Sequence, residues 1–170
     1  MTMQYDVKQA HLNGSGIFVV GPTRIKGISL TGTASAGQLI MFDTLTAPVS
    51  NATYGRAATL VTVTKSSHGL SNGQIIGIDF GAGSEGTATN GNYAVTVVNA
   101  NSFTVTDINS GTITAGATMV YSTGKWLMTY DIAAGDSYNN SPLIPGEGVK
   151  ADTGVYGYIT NLTAANIYYG

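Results

Sequence analysis

The chain has no cysteine in its 170 residues, which excludes disulfides and thiolate metal sites. Charge is nearly as scarce. Lys, Arg, Asp and Glu together reach only 9%, where an ordinary globular domain carries about a quarter. The seven Lys and Arg residues are scattered as Lys8, Arg24, Lys26, Arg56, Lys65, Lys125 and Lys150, and only Arg24 and Lys26 stand near each other. No cluster is present to neutralise phosphates, so nucleic acid is excluded as a direct partner. No apolar run approaches the roughly 18 residues that span a bilayer. The opening MTMQYDVKQAHL has no basic segment followed by an apolar one, so no signal peptide is read there.

Catalytic patterns are missing as well. The two histidines, His11 and His68, lie far apart in sequence with no second His or Cys at ligand spacing. The nine acids, Asp6, Asp43, Asp79, Glu85, Asp107, Asp131, Asp136, Glu147 and Asp152, show no glycosidase pairing. Neither G-x-S-x-G nor H-E-x-x-H occurs. Ser67, His68 and any Asp could be assembled into a triad, but so could such residues in nearly any protein. The expectation is a protein that is not an enzyme and holds no cofactor or metal.

What fills the chain instead is glycine, at 23 residues, with Thr, Asn, Ser and Ala around a 43% hydrophobic content. With a net charge of only -2, this is not a disordered composition. A surface of Thr, Asn, Ser and Gly repels other protein surfaces weakly, which points to assembly with copies of itself or a partner. The sequons NAT (51–53), NNS (139–141) and NLT (161–163) are what an Asn/Thr-rich chain produces by chance.

Periodicity of two, not 3.6, organises the apolar residues. RIKGISLTG (24–32) sets Ile28 and Leu30 on one face, and GQLIMFD (37–43) is apolar on both faces, as in a strand covered on each side. TASAG (33–37) between them reads as a hairpin loop. KWLMTYDI (125–132), VYGYITN (155–161) and NIYYG (166–170) are further strands, with Trp126 expected in the core. From about Ala57 to Tyr121 the residues become almost wholly Val, Thr, Gly, Asn and Ala. There TLVTVT, QIIGIDF, YAVTVV, SFTVTD and ATMVYS make about five short strands, enough for a small barrel or sandwich with its own core. The fold class expected is all-β. Residues 1–56 and 123–170 form a jelly-roll-like β-sandwich of about six or seven strands, interrupted by the 57–122 module, since long insertions cost little loop entropy.

GAGSEG, with Gly81, Gly83 and Gly86, matches the spacing of a dinucleotide-binding loop. It follows a strand, but TATNGNYAVTVV after it is β-rich, so no helix N-terminus can hold a phosphate. The stretch is expected to be a turn, with glycine supplying positive φ. His68 is expected to hydrogen-bond a turn backbone or to lay its ring on the module core. PGEGVKADTG (145–154) reads as a turn leading into a strand rather than a calcium loop. Tyr156, Tyr158, Tyr168 and Tyr169 are candidate interaction residues, because tyrosine buries area at low entropy cost and strand alternation can place each one in the core or at a contact surface.

His68-Gly69-Leu70, Asn72-Gly73, the apolar run Ile75 to Ile78, Asn90-Gly91, Tyr93, Val95, Asn101, Phe103 and Val105 form one pattern: H-G-L, N-G-x-Y-x-V, N-x-F-T-V. Over about residues 58–121 it resembles a small β-module that recurs in tail and fibre proteins of tailed bacteriophages. The flanks, YDVKQAHLNGSG (5–16), RIKGISLTGTASAGQLIMFD (24–43) and the stretch 145–170, are similar to small virion-associated proteins of podovirus-like phages, including those of cyanobacteria. The resemblance implies a structural role: a capsid decoration or cement protein, made in the host cytoplasm and residing in the virion. Its partners would be the major capsid protein or other virion proteins, and copies of itself, for example as a trimer. The alternative it implies is a tail component, either an adaptor ring or a fibre domain binding a host-surface glycan.

Overall fold

The computed structural model describes residues 7–138 and 144–170. Met1 to Asp6 and the NNS sequon at 139–141 lie outside the described residues. The described chain is all β, with no helix. Its first strands are β1 (Lys8–Leu12), β2 (Gly16–Val20), β3 (Thr23–Gly32) and β4 (Gly37–Asp43). Then come β5 (Val49–Ala57), β6 (Leu60–Thr64), β7 (Ile75–Phe80), β8 (Gly91–Ala94), β9 (Thr96–Asn99), β10 (Ser102–Thr106) and β11 (Ile113–Ser122). The last are β12 (Lys125–Ile132), β13 (Ser137–Tyr138), β14 (Val149–Ala151), β15 (Gly154–Thr160) and β16 (Leu162–Tyr169). They fall into two compact units, one of residues 1–47 and 127–170, the other Pro48–Trp126. The sequence places those boundaries at 56/57 and 122/123. They differ because β5, read as flank, pairs with both β6 and β11 and so belongs to the second unit.

The first unit is a sandwich of two antiparallel sheets. One runs β1-β16-β3-β13, with β14 also on β3, and the other runs β12-β4-β15-β2. Inward residues of both sheets meet in one core: Ile25, Ile28 and Leu30 of β3 and Ala165 and Ile167 of β16, against Phe18, Leu39, Met41 and Val155. Each fully buried Ile or Leu contributes roughly 1.5–3 kcal/mol of transfer free energy. As the unbroken apolar run predicts, β4 is buried on both faces. Leu39 and Met41 enter the sandwich core, while Ile40 and Phe42, equally buried, belong to neither hydrophobic cluster.

The loop read as a hairpin is not one. Thr33 to Ala36 carries the chain from the β3 sheet to the β4 sheet, because β3 and β4 lie in different layers. The β15-to-β16 step crosses at the same corner. There Asn161 takes positive φ (52°) and donates from Nδ2 to the Ala36 carbonyl at 2.9 Å. A side chain on Gly37 would meet Leu162 Cδ2 at 2.5 Å and the Asn161 carbonyl at 2.8 Å, so the corner needs a glycine there. At the far end of β4 the buried Asp43 carboxylate accepts the backbone N–H groups of Asp152, Thr153 and Gly154, at 2.9, 2.7 and 3.1 Å. A buried acid is tolerated when its oxygens are saturated in this way.

The second unit is one antiparallel sheet of order β8-β7-β11-β5-β6-β10-β9. It has seven strands rather than five, for two reasons. β5 joins it, and YAVTVV, read as one strand, is broken at Val95 into β8 and β9. That break nearly closes the sheet. β8 pairs with β7 at one end of the order, β9 pairs with β10 at the other, and Val95 is the link between them. Its N–H donates to the Gln74 carbonyl at 2.9 Å, its carbonyl accepts Gly73 N–H at 2.7 Å, and its side chain is buried. Tyr54, Val61, Val63, Ile76, Ile78, Phe103, Val105, Met119 and Tyr121 fill the interior. Trp126, expected in a core, is half-buried and belongs to neither cluster. Its backbone is clasped by Asn92, which accepts Trp126 N–H at 2.7 Å and donates to its carbonyl at 3.2 Å.

Candidate interaction surfaces

The motif residues of the barrel are spent on its own construction. In His68, Nδ1 accepts the Leu70 N–H at 3.0 Å, so Nε2 carries the hydrogen and donates to the Asn99 carbonyl at 2.8 Å. Its ring stands edge-on to Phe103, with centroids 5.3 Å apart. Both roles expected of this histidine are present together. Asn101 Oδ1 accepts Ser67 N–H at 3.0 Å, Asn72 Oδ1 accepts Val97 N–H at 2.6 Å, and Asn90 bridges Phe80 N–H and the Asp79 carboxylate. GAGSEG is the expected turn. Gly81 N–H goes to Thr118 O at 2.9 Å, Gly83 and Gly86 bond each other, and no helix follows. Those amides are occupied within the chain, which removes the donors a phosphate would use.

One buried ion pair was missed in the sequence. Arg56 Nη1 lies 2.5 Å from Asp107 Oδ2, with side-chain exposures of 9% and 0%. Asp107 also accepts the N–H groups of Thr89 (3.2 Å) and Asn109 (3.1 Å). Burial raises its pKa, but the hydrogen bonds from Thr89, Asn109 and Arg56 outweigh burial and hold the carboxyl below its ordinary value. Arg56 Nε is buried with no hydrogen-bond partner among the described residues. The sequence holds part of the signal, the parity of each residue, but not their meeting. Ala52, Tyr54 and Arg56 share one parity on β5, and Phe103, Val105 and Asp107 share one on and just past β10, so each row extends the core face by one charged residue. Tyr93, whose hydroxyl donates to the Thr89 carbonyl, is pushed up to about 12 by burial and secondarily by the Asp107 charge.

The four candidate tyrosines are not brought together. Tyr156 and Tyr158 lie on the face of β15 opposite Val155, which points into the sandwich core. Register places Ile17, Tyr156 and Phe42 in one cross-strand row, with Tyr158 beside Ile40. Tyr168 lies on the other sheet, on the face with Asn166, Gln9 and His11. There Asn166 Oδ1 takes hydrogen bonds from Gln9 Nε2 (3.0 Å) and His11 Nδ1 (2.9 Å). Tyr169 turns inward and packs against the sandwich core. Thus Tyr156 and Tyr158 are half-buried beside the fully buried Phe42 and Ile40, Tyr168 is half-buried on a face of the other sheet, and Tyr169 packs against the core.

The sandwich edges separate more sharply than its faces. Three are blunted in the usual ways. β1 carries Lys8, Gln9 and His11, β12 carries Lys125 and Asp131, and the far side of β3 is covered by strands of two and three residues, the latter with Lys150. β2, the last strand of its sheet, reads Gly-Ile-Phe-Val-Val. It has no charge and no proline, and Ile17 is 41% and Val20 72% exposed.

Among the described residues no three His, Cys, Asp or Glu side chains gather as a metal site. Among the described residues, fold and surface define an all-β protein of two units in which the uncharged β2 pairs with no further strand on one side. No protein family, curated protein or solved structure matches this chain.

Proposed function

We propose that this protein is a structural component of a tailed-phage virion, a capsid decoration protein that adheres to the shell and stabilises it. The observation that carries the reading is the β2 edge. A strand that ends its sheet, with exposed apolar side chains and no charge to repel a partner, is a template for pairing with another chain. Five residues of strand fall short of the ~1,200–2,000 Å² that a stable interface buries. The contact therefore extends past the strand's backbone to its exposed Ile17 and Val20 and to the half-buried Tyr156 in register with Ile17, where tyrosine supplies area at little entropic cost. Binding only the folded, assembled shell raises shell stability by mass action. The resemblance of the H-G-L…N-G-x-Y-x-V…N-x-F-T-V module to phage tail and fibre modules supports the virion setting.

The test is addition of purified protein to empty capsids, followed by sedimentation and thermal unfolding. Co-sedimentation and a raised capsid melting temperature are expected, with tens to hundreds of copies per particle by gel densitometry, the order that a shell's many repeated binding positions require. A protein found at about twelve copies or fewer, the order of a single ring, belongs to the tail instead. A protein that stays single and binds no virion component ends the adhesive reading.

A further inference from the structure

Asn-Gly occurs at Asn13-Gly14, Asn72-Gly73 and Asn90-Gly91. In this dipeptide the glycine amide nitrogen can attack the asparagine Cγ, because glycine places no Cβ in the way and gives the backbone the freedom to reach it. A new C–N bond closes a succinimide ring, and the bond from Cγ to the side-chain nitrogen breaks, releasing ammonia. Water then opens the ring at either carbonyl, leaving aspartate or isoaspartate. One water enters and one ammonia leaves, with no oxidant or reductant. The step needs an unrestrained side-chain amide and an unrestrained glycine N–H, and the fold decides which of the three dipeptides has both.

We propose that Asn13 is a site of spontaneous deamidation, and that the same fold shields Asn72 and Asn90. At Asn72 both reacting groups are held: Oδ1 accepts Val97 N–H at 2.6 Å, and the attacking nitrogen, Gly73 N, donates to Val95 O at 2.7 Å. At Asn90, Oδ1 accepts Phe80 N–H at 2.7 Å and Nδ2 donates to Asp79 at 2.6 Å, while Gly91 opens β8 in register with Ile78. Asn13 lies between β1 and β2, exposed together with Gly14 and Ser15. Its side chain makes no hydrogen bond among the described residues, and no atom beyond the chain neighbours stands within 4 Å of a Cβ built on Gly14. Among the described residues the side-chain tie of this loop is at Ser15, whose Oγ accepts Ile159 N–H at 2.9 Å and donates to Ile159 O at 3.4 Å. Conversion replaces a neutral amide by a carboxylate, taking the formal net charge from -2 to -3. The new charge falls in the connection that leads into the uncharged β2.

The experiment incubates the intact folded chain in mildly alkaline buffer and follows the three peptides by mass mapping that separates aspartate from isoaspartate. A urea-unfolded sample and a Gly14→Ala variant run beside it. In the folded chain Asn13 should convert about tenfold or more faster than Asn72 and Asn90, since those two must first break hydrogen bonds by local opening. In urea the three rates should converge, and Gly14→Ala should slow Asn13 alone. Asn72 or Asn90 keeping pace with Asn13 in the folded chain overturns the proposal, as does a folded Asn13 that converts no faster than they do.

Discussion

Arg56 and Asp107 are 51 residues apart in sequence and 2.5 Å apart in space, buried at one end of the barrel's inward-facing rows. Neither charge could be buried alone. Their attraction offsets part of the desolvation cost, and the Thr89 and Asn109 amides saturate more of the carboxylate. Removing one partner strands the other, so Asp107→Asn should destabilise the barrel by about 3 kcal/mol or more, read by urea unfolding.

The same pair predicts an acid response. Asp107 has a depressed folded pKa, so its contribution is fully present above the ordinary carboxylate value of about 4. It is lost as the pH falls through the lower folded value. Barrel stability in the wild type should therefore decline from about pH 5 downwards, and the decline should be shallower in Asp107→Asn. Equal slopes for the two proteins would remove Asp107 as the cause.

Three tyrosines of the barrel, Tyr54, Tyr93 and Tyr121, have raised pKa values, each chiefly because burial disfavours the phenolate. For a group raised in this way, stability is complete below the unfolded value of about 10 and is lost as the pH climbs through the folded one. Ultraviolet titration of the native protein should show a late tyrosine fraction near the value of about 12 that Tyr93 has. Tyr93→Phe should reduce that fraction. Titration of all tyrosines in a single step near 10 would contradict the burial.

His68→Leu keeps apolar contact with Phe103 but deletes both ring hydrogen bonds, leaving the Leu70 N–H and Asn99 carbonyl without their partner. A loss of about 2 kcal/mol is expected, with faster exchange of the Leu70 amide by NMR. Unchanged exchange at Leu70 would mean the imidazole holds nothing there.

Gly77 lies where the backbone of residues 124–126 comes close to β7. A Cβ there would stand 2.1 Å from Trp126 N and 2.7 Å from Lys125 C, both backbone atoms that no side-chain rotation can move. Gly77→Ala should cost about 3 kcal/mol or more in thermal unfolding, whereas Gly14→Ala, with open space around it, should be nearly silent.

Much of this molecule can be read from alternation. Ile28 and Leu30 on one face, the doubly buried β4 and the glycine turn at Gly83 to Gly86 all follow from period-two patterning and turn chemistry, which are local properties. Strands with mixed or polar faces were harder. β5, Val-Ser-Asn-Ala-Thr-Tyr-Gly-Arg-Ala, hides its apolar parity behind Ser, Asn and Gly, and β1, Lys-Gln-Ala-His-Leu, shows almost none. Short β13 exists only because β3 offers it an edge, whereas β14 is the strand expected after the turn at Pro145 to Gly148.

By itself the sequence determined that the chain is all β, that its surface is poor in charge, and, in strands with clean alternation such as β3, which residues turn inward. Those follow from side-chain chemistry and a spacing of two. Only tertiary structure decided that Thr33 to Ala36 crosses between layers, that Val95 joins both ends of a sheet, that Arg56 meets Asp107, and that the four tyrosines divide among two faces and a core. Each depends on pairing between segments distant in the chain. Period-two patterning says which side of a strand is apolar and carries no record of which strand lies beside it.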